Sequence, residues 1–458
     1  MKRHVIIIMC SLFALCIAMV LVAFDGKISI PSHPLSEPTR IMPSDLEYKG
    51  AFRMPSRGFS DAESWDWGGT SMTFYPAGDP FGPDDGYTGS IFGTGHEQHQ
   101  YVSEISIPVP VVSTTKNLDV LNTAVTLQDF QDIRGDFLGD YVEIARVGLE
   151  YLSKQGSQVS DKIHFCLGQH FQEDSDVTHG WFELSLAEPD RKGGWVIGDQ
   201  IPYSVNDYIF EIPLSWADVY TPGMLLATGR YRDGGWSGQG PSLFAYGHWN
   251  DGNPPLPGTF LSNVPLLKYD SSDVIDVIHD TSARIMDGYH HSDEWSGGEW
   301  ITTGDRSAVI FVGTKGVGEY WYGYSDGTRV PTDGSEFTGT VPPYPHDDRG
   351  WWSTRFEAQI LFYDPDDLAA VAMKEKDPFE PQPYSVLNID QYLFHLDKID
   401  HPDFPPDQNK YRLGAACFNP SLSYLYVFEF RGDRDNDRPL VHVWKVASGR
   451  NKKVIDRR

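Results

Sequence analysis

A short phrase recurs along this chain: an apolar strand that leaves through an acidic residue or an Ile-Pro pair and runs into a turn-rich connection. It reads Glu104-Ile-Ser-Ile-Pro108, Phe210-Glu-Ile-Pro213, Leu267-Lys-Tyr-Asp270 and Leu361-Phe-Tyr-Asp364, with Val441-His-Val-Trp-Lys-Val446 as the last copy. Upstream of most copies stand two more short strands, one of them closed by glycine. Degenerate repeats of several short strands, each too small to bury its own faces, are the material of radial β architectures. The expected fold is therefore all-β: a β-propeller of five to seven four-stranded blades, with few short helices on the connections.

The first unit runs through Tyr48-Lys-Gly-Ala-Phe-Arg-Met54, Gly69-Thr-Ser-Met-Thr-Phe74, Gly89-Ser-Ile-Phe92 and Tyr101-Val-Ser-Glu-Ile-Ser-Ile107. Later units contain Val147–Tyr151 with Lys162–Cys166, Leu225–Gly229 with Ser242–Tyr246, Ala308–Val312 with Ala358–Phe362, and Ala415–Phe418 with Tyr424–Phe428. Their alternation suits half-buried antiparallel strands. Five units are clear. Trp195 to Pro213 is a candidate sixth, and the Tyr48 strand is a candidate to close the ring with the last unit. One helix is expected after Asp364, with Asp364 as N-cap and Pro365 in the first position.

With 458 residues and a repeat covering nearly everything after the first 45, one large domain over residues 46–447 is expected. Before it come an apolar segment, residues 1–24, and a Pro/Ser-rich linker, residues 25–45; a basic tail, residues 448–458, follows. Lys2 and Arg3 precede a nearly uncharged run from Val5 to Phe24, which reads as a signal peptide or an N-terminal membrane anchor. The expected location is secreted, periplasmic, or membrane-anchored and facing outward, with membrane contact only through residues 5–24. The formal net charge of −27 repels phosphate backbones and argues against nucleic acid as a partner. Of four cysteines, Cys10 and Cys16 lie in the apolar run, leaving Cys166 and Cys417 as a distant pair without metal-like spacing. A monomer is expected.

The stretch Phe210-Glu-Ile-Pro-Leu-Ser-Trp-Ala-Asp218, followed by Ala227-Thr-Gly-Arg-Tyr-Arg-Asp-Gly-Gly-Trp236 and Gly238-Gln-Gly-Pro-Ser-Leu243, resembles bacterial exported β-propeller proteins of unassigned activity. Gly95-His-Glu-Gln-His-Gln100 adds to the likeness, which extends loosely over residues 47–446. Propellers that are polysaccharide lyases offer an analogy of fold and residue type.

Several constellations could carry chemistry. His96, Glu97 and His99 share one loop after a strand and could bind a metal, move protons or touch substrate. Their His-Glu-Gln-His order and loop setting exclude the helical zinc-protease motif. Arg230 and Arg232 could clamp a uronate carboxylate while Tyr246 or His248 moves protons, as β-elimination requires; antiparallel pairing is expected to bring Arg230 and Tyr246 together. His164 and Cys166 share one face of a strand and could hold Zn2+ with a third ligand. Asp433, Asp435 and Asp437 alternate as in a Ca2+ loop, without the glycine and glutamate of an EF-hand. Trp236 and Trp249 belong to a tryptophan-rich stretch suited to stacking on sugar rings. The function expected from these is binding or processing of a polysaccharide or cell-envelope glycan at one face of the channel, as a lyase or hydrolase. The other reading is a non-catalytic glycan- or protein-binding propeller at the cell envelope.

Overall fold

The computed structural model describes residues 39–56, 60–79, 85–135, 145–156, 158–169, 176–230, 238–247, 252–271, 284–396, 409–434 and 437–448. The N-terminal apolar segment, most of the linker and nearly all of the basic tail lie outside the described residues, as do Arg232, Trp236, His248, Trp249 and Asp435.

Five separate sheets follow one another along the chain. Blade 1 is Met72–Tyr75, Ser90–Thr94, Val102–Ser106 and Thr126–Gln131, from the inner strand outward. Blade 2 is Arg146–Leu152, Lys162–Gly168, His179–Phe182 and Lys192–Ile197, with Phe260–Leu261 added in parallel at its edge. Blade 3 is Tyr208–Glu211, Leu226–Gly229, Leu243–Tyr246 and Asn263–Leu267. Blade 4 is Glu294–Thr303, Arg306–Gly323, Gly350–Tyr363 and Ser385–Asn388. Blade 5 is Leu413–Asn419, Tyr424–Asp433 and Arg438–Val446, completed on the outside by the early strand Leu46–Arg53. The inner strands pack in a ring, blade 1 on 2, 2 on 3, 3 on 4, 4 on 5 and 5 back on 1. This is a five-bladed β-propeller.

The ring is held by what lies between blades. Five large apolar clusters fill the five gaps between neighbouring blades. In blade 4, Val309, Phe311, Leu361 and Tyr363 face blade 3, while Ala308, Ile310, Val312, Ile360 and Phe362 face blade 5. The period-2 geometry of a strand sends alternate side chains into different cores. These central strands therefore read as continuous apolar runs rather than as the half-buried alternation expected. Each fully buried Ile, Leu or Phe contributes about 1.5–3 kcal/mol. The outer strand Leu46–Arg53 pairs antiparallel with Arg438–Val446, so segments near both ends of the chain share one sheet and close the ring.

Several sequence expectations are corrected. Trp195 to Pro213 is not a sixth blade: Lys192–Ile197 is the outermost four-stranded position of blade 2, and Tyr208–Glu211 is the innermost of blade 3. The recurrent phrase has no single place; it is inner in blade 3 at Phe210, outermost at Leu267, and third in blades 1, 4 and 5. Ala308–Val312 and Tyr320–Tyr322 belong to one long strand, Arg306–Gly323. The last residues of the linker are part of the fold, because Ile41 is fully buried in the core between blades 4 and 5. The expected helix is present as Pro365–Ala372, and the Asp364 side chain accepts from the Asp366 N–H. A second helix, Leu214–Tyr220, follows the blade 3 inner strand.

All five inner strands run the same way through the ring. Their first residues surround one end of the channel, here the entry mouth, and their last residues surround the exit mouth.

Candidate active site

The channel narrows to a waist. Gly148, Gly297, Gly298, Ala415 and Ala416 stand there with Thr70, Ser71 and Asp207, around a void of about 10 Å³. Small residues are required where backbones approach so closely: a Cβ on Gly297 would lie 2.8 Å from the Ala416 nitrogen, and one on Gly148 would lie 3.0 Å from the Asp207 carbonyl oxygen.

Toward the exit mouth the channel opens into a cup of about 410 Å³ lined from all five blades. Thr73 and Phe74 come from blade 1, Glu150 and Tyr151 from blade 2, Glu211 from blade 3, Glu299 and Trp300 from blade 4, and Phe418 from blade 5. Pro76, Pro213 and Pro420 stand just beyond three of the inner strands and also line it. No Lys or Arg is in this lining among the described residues.

The three glutamates are held differently. The Glu299 carboxylate accepts from the Trp300 N–H at 2.8 Å and, across the blade gap, from the Phe418 N–H at 3.0 Å. Glu150 accepts from the Thr73 hydroxyl at 3.1 Å and the Glu211 N–H at 3.2 Å, spanning blades 1 and 3. Glu211 has one longer side-chain contact, 3.4 Å from the Gln155 amide. Removal from water disfavours the ionised form of all three. Burial raises Glu211. Burial, with the charge of Glu211 added, pushes Glu299 up to about 8 against the pull of its two N–H donors. Glu150 is raised well above the carboxylate range by burial and by the charges of Glu299 and Glu211. The charge of Glu211 adds to burial in disfavouring ionisation of the other two. One ionised carboxylate beside protonated ones, in a cup with aromatic walls, can both donate and accept a proton near neutral pH.

The residues singled out from sequence lie elsewhere. His96, Glu97 and His99 form a tight turn at the entry mouth of blade 1: the His99 and Gln100 N–H groups donate to the His96 carbonyl, and the His96 and His99 rings are 5.3 Å apart. Arg230 is also at the entry mouth, fully buried, its Nε donating to the Gly240 carbonyl at 3.0 Å. Tyr246 is not beside it. The register pairs Tyr246 with Leu226 and Thr228 with Phe244, four residues' worth of strand away from the turn. Its ring is buried among Cys166, Trp181, Trp195 and Ile209 in the gap between blades 2 and 3. His96, Arg230 and Tyr246 do not converge.

The proposed metal ligands have other partners. His164 Nε2 is 3.0 Å from the Gln158 side-chain oxygen, and burial lowers its pKa to about 3. Burial raises the Cys166 thiol, and both cysteines of the fold are buried and unbridged. Asp433 is fully buried against Arg53 at 2.7 Å. Among the described residues no three His, Cys, Asp or Glu side chains are grouped to hold Zn2+ or Ca2+.

Sequence reasoning missed Glu150, Glu211 and Glu299. The available signal was an acid inside an otherwise apolar strand: Val147-Gly-Leu-Glu150-Tyr and Tyr208-Ile-Phe-Glu211. That signal also selects Glu104, which is satisfied in the third strand of blade 1 by the Ser90 hydroxyl and the Gln128 amide.

No family model matches the chain, and no curated protein matches it. Among solved structures the chain is similar to the α-L-arabinofuranosidase Arb93A from Fusarium graminearum in complex with an iminosugar inhibitor. The identity is 8%, the TM-score 0.33, and the match covers 87% of this chain and 98% of that one. A mutant of the same enzyme with an iminosugar inhibitor matches with the same identity, score and coverage. The fold assignment rests on the sheet order and the ring of inner strands, independently of that likeness.

Proposed function

We propose that this propeller is a glycoside hydrolase acting on uncharged glycan at the exit-mouth cup. The carrying observation is the convergence of Glu150, Glu211 and Glu299 on one cavity with Phe74, Tyr151, Trp300 and Phe418. Glycosidic hydrolysis needs a protonated carboxyl to give a proton to the leaving oxygen and an ionised one on the other side of the bond. Glu150 is assigned as the acid: it delivers its proton as the bond from the anomeric carbon to oxygen breaks. Glu211 is assigned as the ionised partner. It either takes a proton from the water that adds to the anomeric carbon or attacks that carbon itself, with water completing the exchange. Glu299, anchored by two backbone N–H groups, shares the proton inventory of the site. In each route one water is consumed: in direct attack Glu150 takes its proton back from that water, and in water activation the proton taken by Glu211 returns to Glu150 through solvent.

The lining also sets the substrate class. A uronate would bring a further negative charge beside three carboxyl groups in a buried cup without a cation among its described lining residues, so an acidic polysaccharide and lyase chemistry fit it poorly. Phe74, Trp300 and Phe418 supply apolar surface for a neutral sugar ring. An exported location, on the strength of residues 1–24, remains part of the proposal.

The test is hydrolysis of a panel of neutral aryl glycosides and oligosaccharides by the full chain, read as released aglycone or reducing ends. Turnover that disappears in Glu150→Gln supports the assignment, and the anomer first formed tells direct attack from water activation. Retention of oligosaccharides without turnover would replace hydrolysis by glycan binding at the same cup. Absence of both turnover and retention would sink the proposal.

A further inference from the structure

We infer a second, independent site at the entry mouth that binds a small oxyanion, a carboxylate or sulfate group, between blades 4 and 5. A cavity of about 40 Å³ lies there, lined by Asp348, Trp352, Asn409, Lys410, Tyr411 and Arg431. Three of these carry donors left over from the fold. Lys410 is only 8% exposed; its ammonium lies 4.6 Å from the centre of the Trp352 ring and 4.9 Å from that of Tyr411, with no hydrogen bond or ion pair among the described residues. Asn409 is 4% exposed; its side-chain oxygen accepts from the Tyr411 N–H, while its amide nitrogen has no partner. The Arg431 guanidinium is stacked 3.9 Å over the Trp67 ring, with no carboxylate in ion-pair contact among the described residues.

Such donors are costly to leave buried, and the neighbouring cations are not left so. Arg412 is paired with Asp390 at 2.6 Å, Arg53 with Asp433 at 2.7 Å and Arg438 with Asp66 at 2.9 Å. In a chain of net charge −27, this lining gathers two cations, Lys410 and Arg431, with one carboxylate, Asp348. Outside the lining, Glu97 and Asp437 also act on the Arg431 charge, more strongly than Asp348 does. An oxyanion would satisfy the three donors with charge-assisted hydrogen bonds. The volume admits a carboxylate or sulfate group, or water, but not a sugar ring. A glycan would therefore enter by its charged substituent, and a free inorganic anion would fit as well.

The experiment is titration of the full chain with sodium sulfate and, separately, sodium glucuronate, at ionic strength held constant with chloride. Binding is read by tryptophan fluorescence, since Trp352 and Trp67 adjoin the donors, and by the thermal midpoint. Saturable binding of either anion is expected, weakened more than about tenfold in Lys410→Met and in Arg431→Gln. Asp348→Asn is expected to tighten it. If Lys410→Met does not fold, Lys410→Arg is expected to fold and retain binding. Saturation by both anions assigns a glycan-borne group, and by sulfate alone a free anion. No saturable response beyond chloride, or unchanged affinity in a folded Arg431→Gln, would overturn the site and leave water as its occupant.

Discussion

The two mouths of the channel handle buried charge in opposite ways. At the entry mouth and the outer parts of the same blades, carboxylates are given cations: Asp293 meets Lys315 at 2.9 Å, and Asp433 meets Arg53 at 2.7 Å. Asp293 also accepts from the Gly316 and His290 N–H groups, so its burial is answered on several sides. At the exit mouth Glu150, Glu211 and Glu299 are brought together with only neutral donors. A buried pair of opposite charges can be neutral for stability, while a group of like charges in low dielectric opposes it. A fold that keeps the second arrangement holds protons on carboxyl groups at a pH where water would remove them, and proton transfer needs that state.

The largest expected effect tests the chemistry of the exit mouth. Glu150→Gln should lower turnover of a neutral glycoside by about 10²–10⁴-fold, the range for losing a positioned general acid. Its stability in urea should be little changed, because the carboxyl it replaces is already uncharged. A variant that loses stability while keeping turnover would reverse the assignment, making Glu150 a tie between blades 1 and 3 and nothing more.

The entry mouth should answer the same kind of change with the opposite sign. Lys315→Met leaves Asp293 buried without its cation and should cost about 3–5 kcal/mol in chemical denaturation. If Lys315→Met is tolerated as well as Glu150→Gln, the contrast between the mouths does not exist.

Proton linkage sharpens the comparison. Burial pushes the folded Glu299 carboxyl up to about 8 from its ordinary 4.5. Between those values the folded chain holds a proton that the unfolded chain has released, so stability falls as pH rises. The contribution is fully present below the unfolded value and is lost as pH passes through the folded one. Glu150 and Glu211, both raised, act in the same direction. The unfolding free energy of the parent should therefore decline from pH 5 to pH 8 by an amount on the order of a few kcal/mol. Glu211→Gln removes a charge that adds to burial in raising the other two and should partly flatten that decline. A parent profile that rises over this window would mean that the three carboxyls are hydrated and ionised.

What the sequence made legible follows from which interactions are local. Strand identity was readable because apolar β-branched and aromatic runs such as Ala308-Val-Ile-Phe-Val312 are bounded by turn residues. The helix at Pro365 was readable because its cap, Asp364, is adjacent in sequence. Closure by Leu46–Arg53 was open to inference because a ring needs its first strand somewhere. The site was not readable in this way. Glu150, Glu211 and Glu299 are separated by some 60 and 90 positions, and only the ring brings them to one cup. Each looks like an ordinary polar residue on a strand, whereas the histidines of Gly95–Gln100 and the arginines after Gly229 are conspicuous in sequence. Among the described residues, His96 and His99 sit in a turn at the entry mouth, Arg230 is consumed by a backbone carbonyl, and Tyr246 by the packing between blades 2 and 3.

The smallest expected effect concerns the boundary between the two mouths. Opposite treatment of charge is sustainable only if solvent and ions do not pass freely along the axis, and the waist supplies that separation through close backbone approach. Gly297 sits where blade 4 meets blade 5, and an added methyl would face the Ala416 nitrogen at 2.8 Å and the Ala415 Cα at 3.0 Å. Both are backbone atoms of an inner strand, so neither can yield by changing a rotamer. Gly297→Ala should therefore force the two inner strands apart and cost about 1–3 kcal/mol, the range for overpacking a tight interior. It should also steepen the salt dependence of the pH profile of Glu150 and Glu299, since widening the waist lets ions screen the exit cup from behind. A Gly297→Ala chain as stable as the parent, with the same salt response, would mean that blades 4 and 5 do not approach so closely, and the two mouths would have to be treated as one electrostatic compartment.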